Sequence, residues 1–388
     1  MSKFRFVNLN LFLFSLVLLL LCWGCSKLRV ADRQFLEEGD VSPGEFLDAQ
    51  GAQMEKSEIL ELVRQSEFIL LGESHTNPCD HKVQREVMDL VLEADKRLAL
   101  GLEMVPASKQ DILQDFNQGE IDIKDLESAL EWQNIWGHDF SLYQPVLEKA
   151  QKANVPLYGL NVSQTALQEL KEKGLQEMSS QHRQELPRRI IPPSKAQKKS
   201  LRSQYKRHEE VLQEETHSLE DEDRFFLVQS VWDTQMAQKA LEVHRKTGHR
   251  VLILAGSEHV RKDWGIVRRL RILGQDPQIL TLVPWRGLNE IDAGQGDILF
   301  YCPHIHQSRL GIDLRLEPQG MVVDRVKEDS RAAQAGFMPG DVLLKAGKEE
   351  VQDVMDLHSA AMQAQQEQEP LLFEVKRQDS KLMLKLEI

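Results

Sequence analysis

The run from Phe68 to Val91 constrains the fold most. Phe68 to Leu71 is apolar and reads as a buried strand that stops at Gly72. Glu73, His75, Asp80 and His81 then follow within nine residues, with Pro78 marking a turn. Val83, Val87, Leu90 and Val91 keep the spacing of three and four that a helix requires. The pattern is strand, polar loop, helix. Taken alone it also fits a capped turn whose histidines point at water.

Other strands end the same way. Leu98 to Met104 carries Glu103 near its end, and Pro156 to Asn161 ends in an amide. Val251 to Gly256 runs into Ser257, Glu258 and His259. Strands alternating with helices argue for a mainly parallel α/β sheet flanked by helices. In such sheets ligands bind beyond the carboxyl ends of the strands. If these strands are neighbours, Glu73, His75, Glu103 and His259 converge on one rim. Two carboxylates and two imidazoles there suit either a divalent metal or acid–base chemistry.

A chain of 388 residues exceeds one typical domain. Its formal charge of −13 speaks against nucleic acid as a partner. Residues 1–25 read as a targeting signal, with Lys3 and Arg5 ahead of an apolar stretch from Leu9 to Leu21. Gly24-Cys25-Ser26 resembles the cleavage site of bacterial lipoproteins, which implies lipidation at Cys25 and a membrane anchor in the cell envelope. By the same resemblance, Ser26 points to the outer membrane, with the protein facing the periplasm. Losing Lys3 and Arg5 with the leader takes the charge to −15. Only Cys79 and Cys302 remain beyond it; one disulfide is possible, but packed or free thiols are the expectation.

Residues 26–56 read as a tether and 57–286 as the α/β domain. Within it, 107–150 is helical and carries Trp132, Trp136, Phe140 and Tyr143, either as core or as the wall of a site for a flat apolar ligand. Residues 165–223 are highly charged and read as an inserted helical hairpin, a solvated face by default or a basic cap over the cleft. Residues 287–305 read as a linker. The C-terminal unit, 306–388, contains Leu310-Gly311-Ile312 and Ser330-Arg331-Ala332-Ala333-Gln334-Ala335-Gly336-Phe337-Met338-Pro339-Gly340-Asp341. This closely resembles the PDZ signature, which implies a small β-rich domain with two helices. The resemblance also implies that Leu310, Gly311 and Ile312 bind the carboxyl terminus of a protein or peptide, which adds as a strand to the sheet edge.

The larger domain resembles the ChaN family of haem-binding lipoproteins, part of the wider TIKI/TraB/erythromycin-esterase-like superfamily. The resemblance rests on Gly72-Glu73-Ser74-His75-Thr76-Asn77-Pro78 with Asp80-His81 and Gln84, and on Gly101-Leu102-Glu103-Met104. It continues through Trp136-Gly137-His138-Asp139 with Tyr143, Trp232-Asp233 with Met236-Ala237, and Gly256-Ser257-Glu258-His259. It implies haem or iron-porphyrin binding, iron uptake at the envelope, and a homodimer around bound haem. Haem needs an axial ligand and an apolar slot. His75, His81 and Tyr143 are the candidate ligands, with Trp132 and Trp136 beside the ring. The wider superfamily implies an alternative, a metal-dependent hydrolase in which Glu73 or Glu103 is the base and His75 and His259 are ligands or proton shuttles. A PDZ-containing envelope adaptor is the third reading.

Overall fold

The computed structural model describes residues 41–212, 219–287, 291–308, 310–317 and 320–387. The leader, Cys25 and the first part of the tether lie outside them.

The α/β domain is built on seven strands: β1 (Phe46–Asp48), β2 (Phe68–Glu73), β3 (Leu98–Pro106), β4 (Leu157–Asn161), β5 (Arg250–Gly256), β6 (Ile279–Trp285) and β7 (Ile298–Tyr301). Their order is β1-β7-β6-β2-β5-β3-β4, and all pairs except β1 with β7 are parallel. Every residue of β2 and β3 is buried, as expected of strands covered on both faces. Side chains alternate between those faces. Ile69 and Leu71 join one core with Leu100, Leu252 and Leu254, while Phe68, Leu70 and Ile253 are equally buried outside that cluster.

Helix α1 is Lys56–Gln65, and α2, Pro78–Ala94, starts directly behind the β2 loop. Asn77 caps α2 by accepting the Cys79 N–H, and Pro78 presets the first turn. The helical stretch after β3 is α3 (Gln110–Gln118), α4 (Ile123–Leu130), α5 (Trp132–Ile135) and α6 (Phe140–Lys152). The insert comprises α7 (Gln164–Glu177), α8 (Ser180–Glu185), α9 (Lys195–Leu212) and the start of α10 (Leu219–Thr247). Two of its basic groups are paired locally, Arg202 with Glu222 and Lys198 with Asp223. After β5 come α11 (Ser257–Val260) and α12 (Gly265–Leu273).

Two stretches read as connecting segments are part of the sheet. β1 falls within the expected tether and β7 within the expected linker, and they pair with each other at the sheet edge. Both are too short to carry a periodic signal. The expectation of unpaired thiols is also corrected. Cys79 and Cys302 form a disulfide, with Cα atoms 5.7 Å apart. It joins the first turn of α2 to the residue after β7, a proximity that a sequence separation of 223 conceals.

The C-terminal unit has strands β8 (Ile305–Gln307), β9 (Ile312–Glu317), β10 (Gly320–Val326), β11 (Val342–Ala346), β12 (Glu349–Glu350), β13 (Leu371–Arg377) and β14 (Ser380–Leu386). Helices α13 (Arg331–Ala335) and α14 (Val354–Glu367) complete it. The antiparallel order is β14-β13-β11-β10-β9-β8, with β12 on β11. Phe337, Leu343, Phe373 and Val375 form its core. Asp341, fully buried, holds the Arg377 guanidinium through both carboxylate oxygens.

Candidate functional site

The strand order sets β2, β5 and β3 side by side, with Glu73 in register with Gly256. The carboxyl ends of three strands therefore deliver Glu73, the Gly256-Ser257-Glu258-His259 turn and Glu103 to one rim. A Cβ on Gly256 would lie 3.0 Å from His75 Cε1 and 3.6 Å from Glu103 Oε2. Only glycine leaves those two side chains this close.

Glu73 is the most heavily engaged group. Its Oε1 accepts the Tyr143 hydroxyl at 2.6 Å and lies 2.9 Å from His75 Nδ1, and its Oε2 accepts the Gln84 amide. Burial alone would raise its pKa. The nearby His81 and the hydrogen bonds from His75 and Tyr143 outweigh that and hold the carboxyl at about 2. Glu73 is thus an anion, so His75 Nδ1 carries the proton between them. Burial works against a charge on His75, yet the Glu73 bond prevails and its pKa is raised. Its side chain is 32% exposed, and its ring packs edge-on to Trp136 at 4.7 Å and against His138 at 5.0 Å.

The other two candidate ligands are committed elsewhere. His81 Nδ1 faces Gln84 Oε1 at 3.0 Å and its Nε2 faces the His75 carbonyl at 3.2 Å. Tyr143 is buried, donates to Glu73 and accepts the Trp136 indole N–H at 3.0 Å. Burial, then the Glu73 charge, pushes its phenol well above the ordinary value. The structure makes Tyr143 an orienting group for Glu73. Trp132 is buried in the core and donates to the His138 carbonyl, so of the two candidate tryptophans only Trp136 stands at the rim.

His259 occupies the second half of the rim. Its Nδ1 lies 2.6 Å from Asp233 Oδ1 and its Nε2 3.4 Å from Glu103 Oε1. Glu103 Oε2 accepts the Gly256 N–H at 2.5 Å. Burial lowers the imidazole's pKa, but Glu103 and Asp233 together carry it up to about 9. That stability is fully present below the ordinary 6.5 and is lost as pH rises through 9. The difference corresponds to about 3 kcal/mol. Thermal melts of the whole chain are expected to fall in Tm from pH 6.5 to 9.5, and His259→Gln is expected to flatten that slope. An unchanged slope in the variant would assign the alkaline loss to another group.

Asp233 is the principal residue that reading the rim motifs missed. It is buried in α10 and binds Arg269, also buried, at 3.2 Å, together with Gln197 at 3.1 Å. Arg269 also donates to Gln197 Oε1 and to the Ile191 carbonyl, so this pair clamps the insert to the domain. Its sequence signal is the Trp232-Asp233 pair. Asp80 was likewise unassigned: it accepts the Ser74 N–H and pairs with Arg286 at 2.6 Å, fixing the loop that carries His75.

The expected divalent-metal set of Glu73, His75, Glu103 and His259 is not supported. Among the described residues no three His, Cys, Asp or Glu side chains group as metal ligands. The physical reason is that both oxygens of each carboxylate already face protein partners. Haem fits the donor chemistry better. A histidine whose Nδ1–H is held by a carboxylate presents Nε2 as an oriented ligand.

Beside the rim, a cavity of about 1040 Å³ lies between the His138 loop and the C-terminal domain, lined by Thr76, His138, Lys327 and Arg331 among others. Leu310 and Gly311 also border it. Their N–H groups, expected to bind a carboxylate, donate to Ser308 Oγ and Ser308 O.

Comparison with known proteins agrees with this architecture. No curated protein matches the chain. Among solved structures, that of cofacial heme binding to ChaN of Campylobacter jejuni is 21% identical, covering 66% of this chain and 95% of that one, with a TM-score of 0.53. The HtrA3 PDZ domain bound to a phage-derived ligand is 24% identical over 22% of this chain and 86% of that one (TM-score 0.18). An erythromycin esterase mutant in its open conformation is 15% identical over 62% and 76% (TM-score 0.36). A PDZ-domain model matches residues 308–388. The model described as "Haem-binding uptake, Tiki superfamily, ChaN" matches residues 59–270, and the chain belongs to that family.

Proposed function

We propose that the chain binds haem at the carboxyl edge of its parallel sheet, with His75 Nε2 as the axial ligand. The observation that carries this is the partly exposed imidazole oriented by an ionised, buried carboxylate. When bound, the group supplies an iron centre; the chain's own residues orient the ligand and cover the ring. Trp136 and His138 pack beside His75, and Lys327 and Arg331 border the adjoining cavity, where they would supply cations to propionates. A homodimer around bound haem, which the family resemblance implies, belongs to the same proposal.

Anchoring in the bacterial envelope through Cys25, facing the periplasm from the outer membrane, is part of the same proposal and rests on residues 1–26; a role in iron uptake rests on the family. The PDZ domain then serves to bind a peptide carboxyl terminus. The rim favours hydrolysis less, because both nitrogens of His259 face carboxylates and Glu103 is engaged by Gly256 and His259.

Titrating the purified chain with hemin is expected to give a saturable shift of the Soret band. Glu73→Gln, which removes the charge orienting His75, is expected to weaken binding by roughly 10–100-fold. No saturable change in the unaltered chain would overturn the proposal.

A further inference from the structure

The edge of β9 that a peptide would need is already taken. β10 pairs along one side of β9, and β8 pairs antiparallel along the other, Ile305 with Arg315, His306 with Leu314 and Gln307 with Asp313. The pairing extends past the strand at both ends, Ser308 N–H to Ile312 O at 2.9 Å and Leu316 N–H to His304 O at 3.0 Å. β8 runs antiparallel to β9, and the turn that follows it, Ser308 to Gly311, is the loop expected to cradle a carboxylate. The charges of His358 on α14 and of Asp353 at that helix's N-cap reach His306 and His304 of this segment. β8 therefore has the orientation on β9 of an added peptide strand.

The outward side of β8 grips the haem-site loop. Gln307 N–H donates to the Thr76 carbonyl at 3.2 Å, and His306 Nδ1 lies 3.0 Å from Thr76 Oγ1. Asn77 donates to the Pro303 carbonyl at 2.8 Å. Thr76 follows His75 directly. One three-residue strand thus covers the β9 edge and braces the loop that presents the candidate ligand.

We infer that β8 is the resident occupant of the PDZ groove, and that an extended peptide with a free carboxylate enters only by displacing it, which loosens the His75 loop. The second half rests on the haem reading above. Because coupling between two sites is reciprocal, haem that tightens the loop weakens the peptide by the same factor.

The test uses the full chain and hydrogen exchange. The Leu316 amide is expected to be protected, and to exchange at least tenfold faster in His306→Pro, which removes the N–H opposite Leu314 and the contact with Thr76. The Asn77 amide, which donates to the Ser74 carbonyl, is expected to speed up with it. His306→Pro is expected to bind hemin on the order of tenfold more weakly. The peptide probe is a fluorescein-labelled copy of residues 302–307 with serine at 302, expected to bind His306→Pro more tightly than the unaltered chain.

Hemin should slow Leu316 exchange in the unaltered chain. Thr76→Val removes only the side-chain contact with His306 and guards against a misfolded proline variant: Leu316 should stay protected, and hemin's effect on it should shrink. Rapid Leu316 exchange in the unaltered chain, or equal peptide affinity with and without His306→Pro, overturns the self-occupied groove. Hemin that binds yet leaves Leu316 unaltered overturns the coupling. Hemin that fails to bind counts against the haem reading alone; Asn77 exchange in His306→Pro then decides whether β8 braces the loop.

Discussion

Asp233→Ala is expected to lower the unfolding free energy by about 3–5 kcal/mol, the usual cost of removing one partner from a buried ion pair. Arg269 is 0% exposed, and without Asp233 its remaining partners are neutral: Gln197 Oε1 and the carbonyls of Gly265 and Ile191. His259 would lose its Nδ1 partner and the Gln197 amide its acceptor at the same time. Chemical denaturation should show a lower midpoint. Asp233→Asn, which keeps an acceptor but no charge, should fall between. A loss below about 1 kcal/mol would mean that the Arg269 charge reaches solvent, contrary to its burial.

His75→Ala is expected to reduce hemin affinity by more than the roughly 10–100-fold that loss of an outer partner costs. Tyr143→Phe should behave in the opposite way. Its hydroxyl bonds a charged, buried carboxylate, so its loss is expected to cost about 1.5–3 kcal/mol of stability. Its effect on the Soret titration should be smaller than that of Glu73→Gln, because Gln84 and His75 still hold Glu73. Titration and denaturation of the two variants side by side separate ligand from support. If Tyr143→Phe abolishes the hemin signal while His75→Ala retains it, the assignment of the axial ligand is wrong.

The sheet and the meeting of Glu73, His75, Glu103 and His259 were legible because each residue sits at the end of an apolar run, and parallel strands stack their carboxyl ends. What the strands leave unsaid is which groups are accessible. Tyr143 and His81 looked like ligands because their side chains can ligate iron; only packing reveals that Glu73, Gln84 and the His75 carbonyl have claimed them. Asp233 and Arg269 lie on separate amphipathic helices, 36 residues apart, and neither pattern marks its charge as facing inward. β1, β7 and β8 are three or four residues long, below the length at which alternation is a signal. The Cys79–Cys302 pairing depends on β7 returning beside the loop after β2, which no local spacing records.

That covalent link closes residues 79 to 302 into a ring that contains the whole charged insert. A protease cutting once anywhere inside the ring would leave two fragments still fastened together, with the C-terminal domain attached to the start of α2. Such a nicked molecule would separate on a gel only after treatment with a thiol reductant.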